Sequence, residues 1–262
     1  MVTLENVTVT YAAGSVKALK NFNITINPGE FVVVVGLSGA GKSTMLRCVN
    51  RLVTPTDGKV YIDGKDITGA NGTALKRLRR EVGMIFQNFN LVKRSPVLRN
   101  VLAGRVSYVP TWRTLLGLFP KADREIALDC LQRVGIPEKA AVRADALSGG
   151  QQQRVGIARA LAQKPKIILA DEPVASLDPP TSHAVMRDLK RINREDNITT
   201  LVNLHFIDMA LEYADRIIGL RDGELVFDGS TSEATSDVFE EIYGRPITDD
   251  DVIGEDSDAA SF

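Results

Sequence analysis

Apolar and polar positions alternate through the first stretch of the chain. From Val7 to Tyr11, and again over Phe22–Ile26, the period is two, which predicts strands with one buried face. A Pro28-Gly29 turn leads into Phe31-Val32-Val33-Val34-Val35, apolar at every position, as in a strand buried on both faces. Val60-Tyr61-Ile62 ahead of Asp63-Gly64 adds a short strand and turn. From about Asn88 to Lys164 the pattern becomes helical, with Ile126, Leu128, Leu131 and Val134 approximating one apolar stripe. Strands return at Ile167–Ala170, Thr199–Val202 and Ile217–Leu220. A helix between the first two carries Val185, Leu189 and Ile192 on one face. Asp222-Gly223 ahead of Glu224–Phe227 reads as a hairpin turn. The expected architecture is α/β, with an N-terminal antiparallel β portion and a helical sub-domain (about 88–164) inserted into a parallel-sheet framework. One domain is expected over 1–246. Residues 247–262, acid-rich, read as a disordered tail.

Composition narrows the picture little. With 262 residues, 44% hydrophobic and 25% charged, the chain has material for one large core. A net charge of -1 provides no global attraction to nucleic acid or anionic lipid. Cys48 and Cys130 stand far apart in helical segments, so they read as two buried thiols in a reducing compartment rather than a disulfide framework. The start, Met1-Val2-Thr3-Leu4-Glu5, has no basic stretch and apolar run, and the apolar stretch Val106–Phe119 is broken by Pro110 and Arg113. A soluble, cytoplasmic chain is expected.

The chemistry begins directly after the Phe31–Val35 strand. Gly36-Leu37-Ser38-Gly39-Ala40-Gly41-Lys42-Ser43-Thr44 satisfies G-x-x-x-x-G-K-[ST] between a buried strand and a helix predicted over Met45–Leu52. Glycines let backbone N–H groups wrap phosphate oxygens while the helix directs its positive end at them. Lys42 supplies a cation for β- and γ-phosphates, and Ser43 a hydroxyl for Mg²⁺. A second motif, Ile167–Ala170 followed by Asp171-Glu172, puts two carboxylates at a strand's carboxyl end, where open parallel sheets gather their ligands. There Asp171 would hold Mg²⁺ and Glu172 would polarise the attacking water. A solvated acidic turn is the plain alternative for Asp-Glu-Pro.

Leu147-Ser148-Gly149-Gly150-Gln151, followed by a helix to Ala162, resembles the signature of the ABC (ATP-binding cassette) ATPase family, and the resemblance runs from Val2 to about Gly244. It implies a P-loop NTPase cassette with a RecA-like core, using ATP and Mg²⁺. It also implies a head-to-tail dimer in which Leu147–Gln151 of one copy reaches the nucleotide of the other. Residue by residue, Tyr11 falls where an aromatic ring stacks on adenine, and Gln87 where a glutamine touches Mg²⁺ and links to the helical block. Asp178 falls in the loop that crosses the dimer interface, and His205 where a histidine contacts the γ-phosphate. Ser43, Gln87 and Asp171 are the implied metal set; Glu172, His205 and Gln87 are the implied catalytic residues.

One cassette, no heptad array and no basic patch favour a transporter subunit over a soluble ABC ATPase working on nucleic acid or ribosomes. Since this chain has no membrane helices, the resemblance implies two separate permease subunits, an extracytoplasmic substrate-binding protein and a peripheral place on the cytoplasmic face of the membrane. Ile85–Val92, Thr111–Pro120 and Val202–Asp208 resemble the phosphonate-import branch. Phosphate, phosphite or another small solute stays open as cargo. The Trp112 segment reads equally as core of an enlarged helical block or as a face toward the membrane partner.

Overall fold

The computed structural model describes residues 1–11 and 16–253. In chain order the elements begin with β1 (Val2–Tyr11), β2 (Val16–Ile26), β3 (Phe31–Val35), α1 (Lys42–Val49), β4 (Asp57–Ile62), β5 (Lys65–Asp66), α2 (Gly72–Glu81) and β6 (Val82–Ile85). A helical stretch follows: α3 (Val97–Leu102), α4 (Thr111–Leu115), α5 (Lys121–Arg133) and α6 (Gly149–Leu161). Strand and helix then alternate through β7 (Ile167–Asp171), α7 (Pro179–Asp196), β8 (Thr199–Asn203), α8 (Ile207–Tyr213), β9 (Arg216–Arg221), β10 (Glu224–Ser230) and α9 (Ser236–Tyr243).

Two sheets organise these elements. The smaller has the order β2-β1-β4-β5 and is antiparallel throughout. The larger has the order β10-β9-β3-β8-β7-β6, with β9, β3, β8, β7 and β6 parallel and β10 antiparallel to β9. The continuous valine run of β3 has a direct physical cause. Phe31, Val33 and Val35 enter the core shared with the helical stretch and α7, whereas Val32 and Val34 enter the core shared with the antiparallel sheet and α1. β7 divides in the same way, Ile168 and Ala170 to one side and Ile167 and Leu169 to the other. A strand sandwiched between two cores has no face for a polar residue.

Several elements differ from the sequence reading. α1 starts at Lys42 and stops at Val49, so the helix begins inside the glycine-rich motif. β6 has only four residues, all buried, too short for a period to register. α2 fully buries Leu78 alone, with Leu75 packed partly beside it, and two leucines among five charged residues make too short a stripe to read. On α5, Leu128 is 41% exposed; Ala127, Cys130, Leu131 and Val134 form the inward face, the i, i+3, i+4, i+7 set. Cys48 and Cys130 are free and buried, as expected, and burial pushes their thiols up to about 12 and about 11. The expected disordered tail from 247 is corrected over its first part. Asp249–Asp251 forms a 3-10 turn, Asp251 is buried, and Ile247 and Ile253 pack on the core. The rest of that expectation, 254–262, lies outside the described residues.

Candidate active site

The carboxyl ends of β3, β7 and β8 bring the two predicted motifs together. After β3 the loop turns through Gly36 and Gly41, with φ of 145° and 107°. A Cβ at Gly36 would stand 2.2 Å from the Leu220 carbonyl oxygen, and one at Gly41 2.4 Å from that of Ala18. Only glycine satisfies both the backbone angle and the close approach. Lys42 is buried, its Nζ donating to the carbonyls of Gly36 (2.6 Å) and Leu37 (3.1 Å). Burial lowers its ammonium to about 8, against the opposing pull of Glu172 and Asp171.

A cleft of about 270 Å³ opens here, lined by Tyr11, Ala18, residues 38–44 and Glu172. Ser38, Gly39, Ala40, Gly41, Lys42, Ser43 and Thr44 are thus in place as a continuous cradle. Tyr11 stands at its edge, 39% exposed, with its hydroxyl 3.3 Å from Thr44 Oγ1. Asp171 is buried at the floor. Its Oδ1 accepts from Ser43 Oγ (2.7 Å) and from Asn203 Nδ2 (2.9 Å), and Arg47 reaches Oδ2 at 3.3 Å. Asn203 and Arg47 were missed as site residues from the sequence. Asn203 had a signal, a lone amide directly after the apolar Leu201 and Val202 at the end of a buried strand; Arg47, on a helix surface, had none.

Glu172 follows with φ 51°, a left-handed conformation that costs a non-glycine residue about 1 kcal/mol or more. Its carboxylate Oε1 lies 2.6 Å from His205 Nε2. That contact holds the Glu172 carboxyl below its ordinary range despite partial burial, with Lys42 adding a smaller pull in the same direction.

The remaining sequence-predicted residues sit elsewhere. Gln87 is exposed and makes no hydrogen bond to any described residue, so it does not join Ser43 and Asp171 here. Its loop is nevertheless anchored: Arg159 of α6 donates to the carbonyls of Phe89 (2.9 Å) and Asn90 (2.5 Å). Ser148 caps α6 in a reciprocal box, its Oγ accepting from Gln151 N (3.4 Å) while Gln151 Oε1 accepts from Ser148 N (3.2 Å). Leu147 belongs to the buried core, whereas Ser148 is exposed and Gly149 and Gly150 are half-buried. Asp178 caps α7 by accepting from Thr181 N at 3.1 Å. Thr181 in turn packs on Gly150, where a Cβ would approach its methyl to 2.3 Å. The signature and the Asp178 loop therefore form one surface, and no residue of 147–151 lines the cleft of the same chain.

Among the described residues no group of three or more His, Cys, Asp or Glu could hold a metal, so a cation here would take most of its ligands from substrate oxygens. Ser43 Oγ and Asp171, hard oxygen donors 2.7 Å apart beside the phosphate loop, fit Mg²⁺ in that manner.

Comparison with known proteins agrees with the geometry. The ABC transporter family model matches residues 19–175. The phosphonates import ATP-binding protein PhnC of Shouchella clausii is 65% identical over 258 residues, covering 98% of this chain and 97% of that protein. A dimeric bacterial ABC transporter cassette superposes with TM-score 0.78 at 41% identity, covering 88% of this chain and 99% of that one. A dimeric post-hydrolysis state of such a cassette, bound to ADP and Pi, gives TM-score 0.76 at the same identity and coverage. On both the site and the family match, the chain belongs to the ABC transporter family.

Proposed function

We propose that this protein is the ATP-hydrolysing subunit of an importer that takes up phosphonate, and that two copies close head to tail around two ATP molecules. The observation that carries the hydrolytic part is Glu172, strained at a strand end, lining the phosphate cleft and held by His205. The phosphonate part rests on the naming of relatives such as the Shouchella clausii protein at 65% identity.

In this reading Lys42 and the N–H groups of 39–44 bind the β- and γ-phosphates. When bound, Mg²⁺ neutralises phosphate charge and withdraws electrons from the γ-phosphoryl group, with Ser43 and Asp171 holding it. Asn203 and Arg47 hold the Asp171 carboxylate oriented for that task. Glu172 takes the proton of the attacking water as its oxygen bonds the γ-phosphorus and the bond to ADP breaks. His205 fixes the Glu172 carboxylate and faces the γ-phosphate. Gln87 enters when its loop moves with the helical block. Ser148 and the Gly149 and Gly150 N–H groups complete the phosphate shell of the partner's nucleotide, consistent with their position away from the cleft of their own chain.

No helix among the described residues is long and apolar enough to cross a membrane. Membrane attachment is assigned to permease partners, and one face fits them. Trp112, Leu115, Leu116 and Leu118 are exposed, Leu115 by 82%. Beside them a groove of about 410 Å³ is lined in part by Leu75, Lys76, Arg79 and Val106. Between Glu81 and Asp123 the chain carries Lys93, Arg94, Arg99, Arg113 and Lys121, all exposed, and no carboxylate side chain, while Arg105 of the same stretch is buried. Apolar centre and basic rim suit an amphipathic cytoplasmic segment with acidic ends.

The test is purification of the assembled complex through a tag on this chain, followed by ATPase assay with phosphonates, phosphate and phosphite. Co-purifying membrane proteins and stimulation by a phosphonate through the binding protein are expected. Recovery of the chain alone, or with ribosomes or DNA, contradicts the importer assignment.

A further inference from the structure

Behind His205 the C-terminal segment makes a set of contacts that the hydrolytic mechanism does not use. α9 is anchored on the core through Phe239 and Ile242, both fully buried, Ile242 lying against Gly219 of β9. At its end, buried Tyr243 donates its hydroxyl to the His205 carbonyl at 2.9 Å. Gly244, with φ 65°, stops the helix and turns the chain. Arg245 then grips Asp251 through two hydrogen bonds of 2.7 and 2.8 Å, closing a short loop. Asp251 also accepts from the Thr248 N–H at 2.8 Å and its hydroxyl at 3.0 Å. Beyond it, the Ile253 N–H donates to both oxygens of Asp208, at 3.2 and 3.1 Å, in the first turn of α8. The turn from β8 into α8 is thus pinned at His205 and again at Asp208 by one C-terminal segment.

We propose that residues 243–253 are a clamp that sets the backbone of His205, and that Tyr243 is a positioning residue acting through His205 on Glu172. The proposal rests on the catalytic reading of Glu172 and His205 given above. His205 sits in a three-residue link between strand and helix, so its imidazole position follows the backbone of that link. The contact it makes with Glu172, 2.6 Å, is short and directional. Shifts of a fraction of an ångström there alter catalysis far more than stability. The clamp itself does not titrate in the working range. Arg245 holds the Asp251 carboxyl down to about 2, so the ion pair stays closed at every higher pH. The groups facing Glu172 are His205 and, at longer range, Lys42, and of these only His205 is in the clamp's reach.

The experiment uses the assembled complex with Tyr243→Phe, Asp251→Asn and, as reference, Glu172→Gln. ATP turnover is followed against ATP concentration, with thermal unfolding in parallel. For Tyr243→Phe the expected result is a kcat about ten-fold lower, KM for ATP changed by no more than about two-fold, and little change in melting temperature. Asp251→Asn shows the same signature with smaller size, and covers the case in which Tyr243→Phe folds poorly. A well-folded Tyr243→Phe with wild-type kcat overturns the clamp. So does a loss of rate that only tracks loss of folded protein. Undiminished turnover in Glu172→Gln instead removes the catalytic reading beneath it, so the two failures are distinguishable.

Discussion

His205 Nε2 stands 2.6 Å from Glu172 Oε1, joining the ends of two adjacent parallel strands, β8 and β7, across the mouth of the phosphate cleft. A carboxylate held in this way is pre-aimed at an attacking water. Glu172→Gln keeps the shape but cannot take a proton, so ATP binding should persist while hydrolysis falls about 10²- to 10⁴-fold. Rapid-quench assay with labelled ATP reads this directly, and wild-type rates in the variant would remove Glu172 from its role. His205→Ala should retain more activity and should move the acid limb of the profile up. The sign follows from the contact, which lowers the Glu172 carboxyl and keeps the base ionised to lower pH.

Lys42 gives a second pH signature of opposite sense. Burial has lowered its ammonium to about 8, and triphosphate oxygens beside it would raise it again. Above about pH 8 the protein must therefore take up a proton as ATP binds, and affinity should fall as pH rises. Calorimetry of ATP binding in buffers of different ionisation heat would register that uptake. It should be absent in Lys42→Ala, and equal uptake there would assign the proton to another group.

Ser148 tests the division of the site between two chains. Its side chain caps α6 and faces solvent, so Ser148→Arg costs the cap, about 1 kcal/mol, without touching the cleft of its own chain. ATP affinity of the isolated chain should be unchanged, while ATP-dependent dimerisation in a Glu172→Gln background is lost. Loss of nucleotide binding in the monomer would contradict this arrangement.

Stability of the helical block hinges on a buried ion pair. Arg105 Nε meets Asp123 Oδ1 at 2.8 Å, Arg105 Nη1 donates to the Ala162 carbonyl at 2.9 Å, and the guanidinium lies 3.8 Å from the Tyr108 ring centroid. Asp123→Ala strands the arginine without its counter-charge and should cost about 3–5 kcal/mol, read as a lower denaturant midpoint. Arg105→Met together with Asp123→Leu should recover most of that loss.

The sequence revealed what depends on local pattern. β3 and β7 were legible because a strand between two cores is apolar at every position, and the phosphate loop because its glycines and Lys42 form one unbroken string. Asp171 and Glu172 were picked out by their place at a strand end, and His205 by the family resemblance. What stayed hidden depends on distant partners. Asn203 and Arg47 acquire their role only when β8 and α1 converge on Asp171, more than a hundred residues away from Arg47. The docking of 247–253 was masked by composition, since Asp251 reads as solvated until Arg245 and Thr248 enclose it. β6 and α2 failed for the reverse reason, one having only four residues and the other an apolar stripe of only Leu75 and Leu78.

The in-trans site is tested most directly by mixing two inactive variants, Lys42→Ala and Ser148→Arg, and measuring single-turnover ATP hydrolysis. In a two-fold dimer a mixed pair has one intact site, built from the phosphate loop of the Ser148→Arg chain and the signature of the Lys42→Ala chain. Random pairing should restore about a quarter of wild-type sites, since about half the dimers are mixed and each has one good site of two. A mixture no more active than either parent would mean that Lys42 and Ser148 serve the same nucleotide from the same chain, and the head-to-tail arrangement would be wrong.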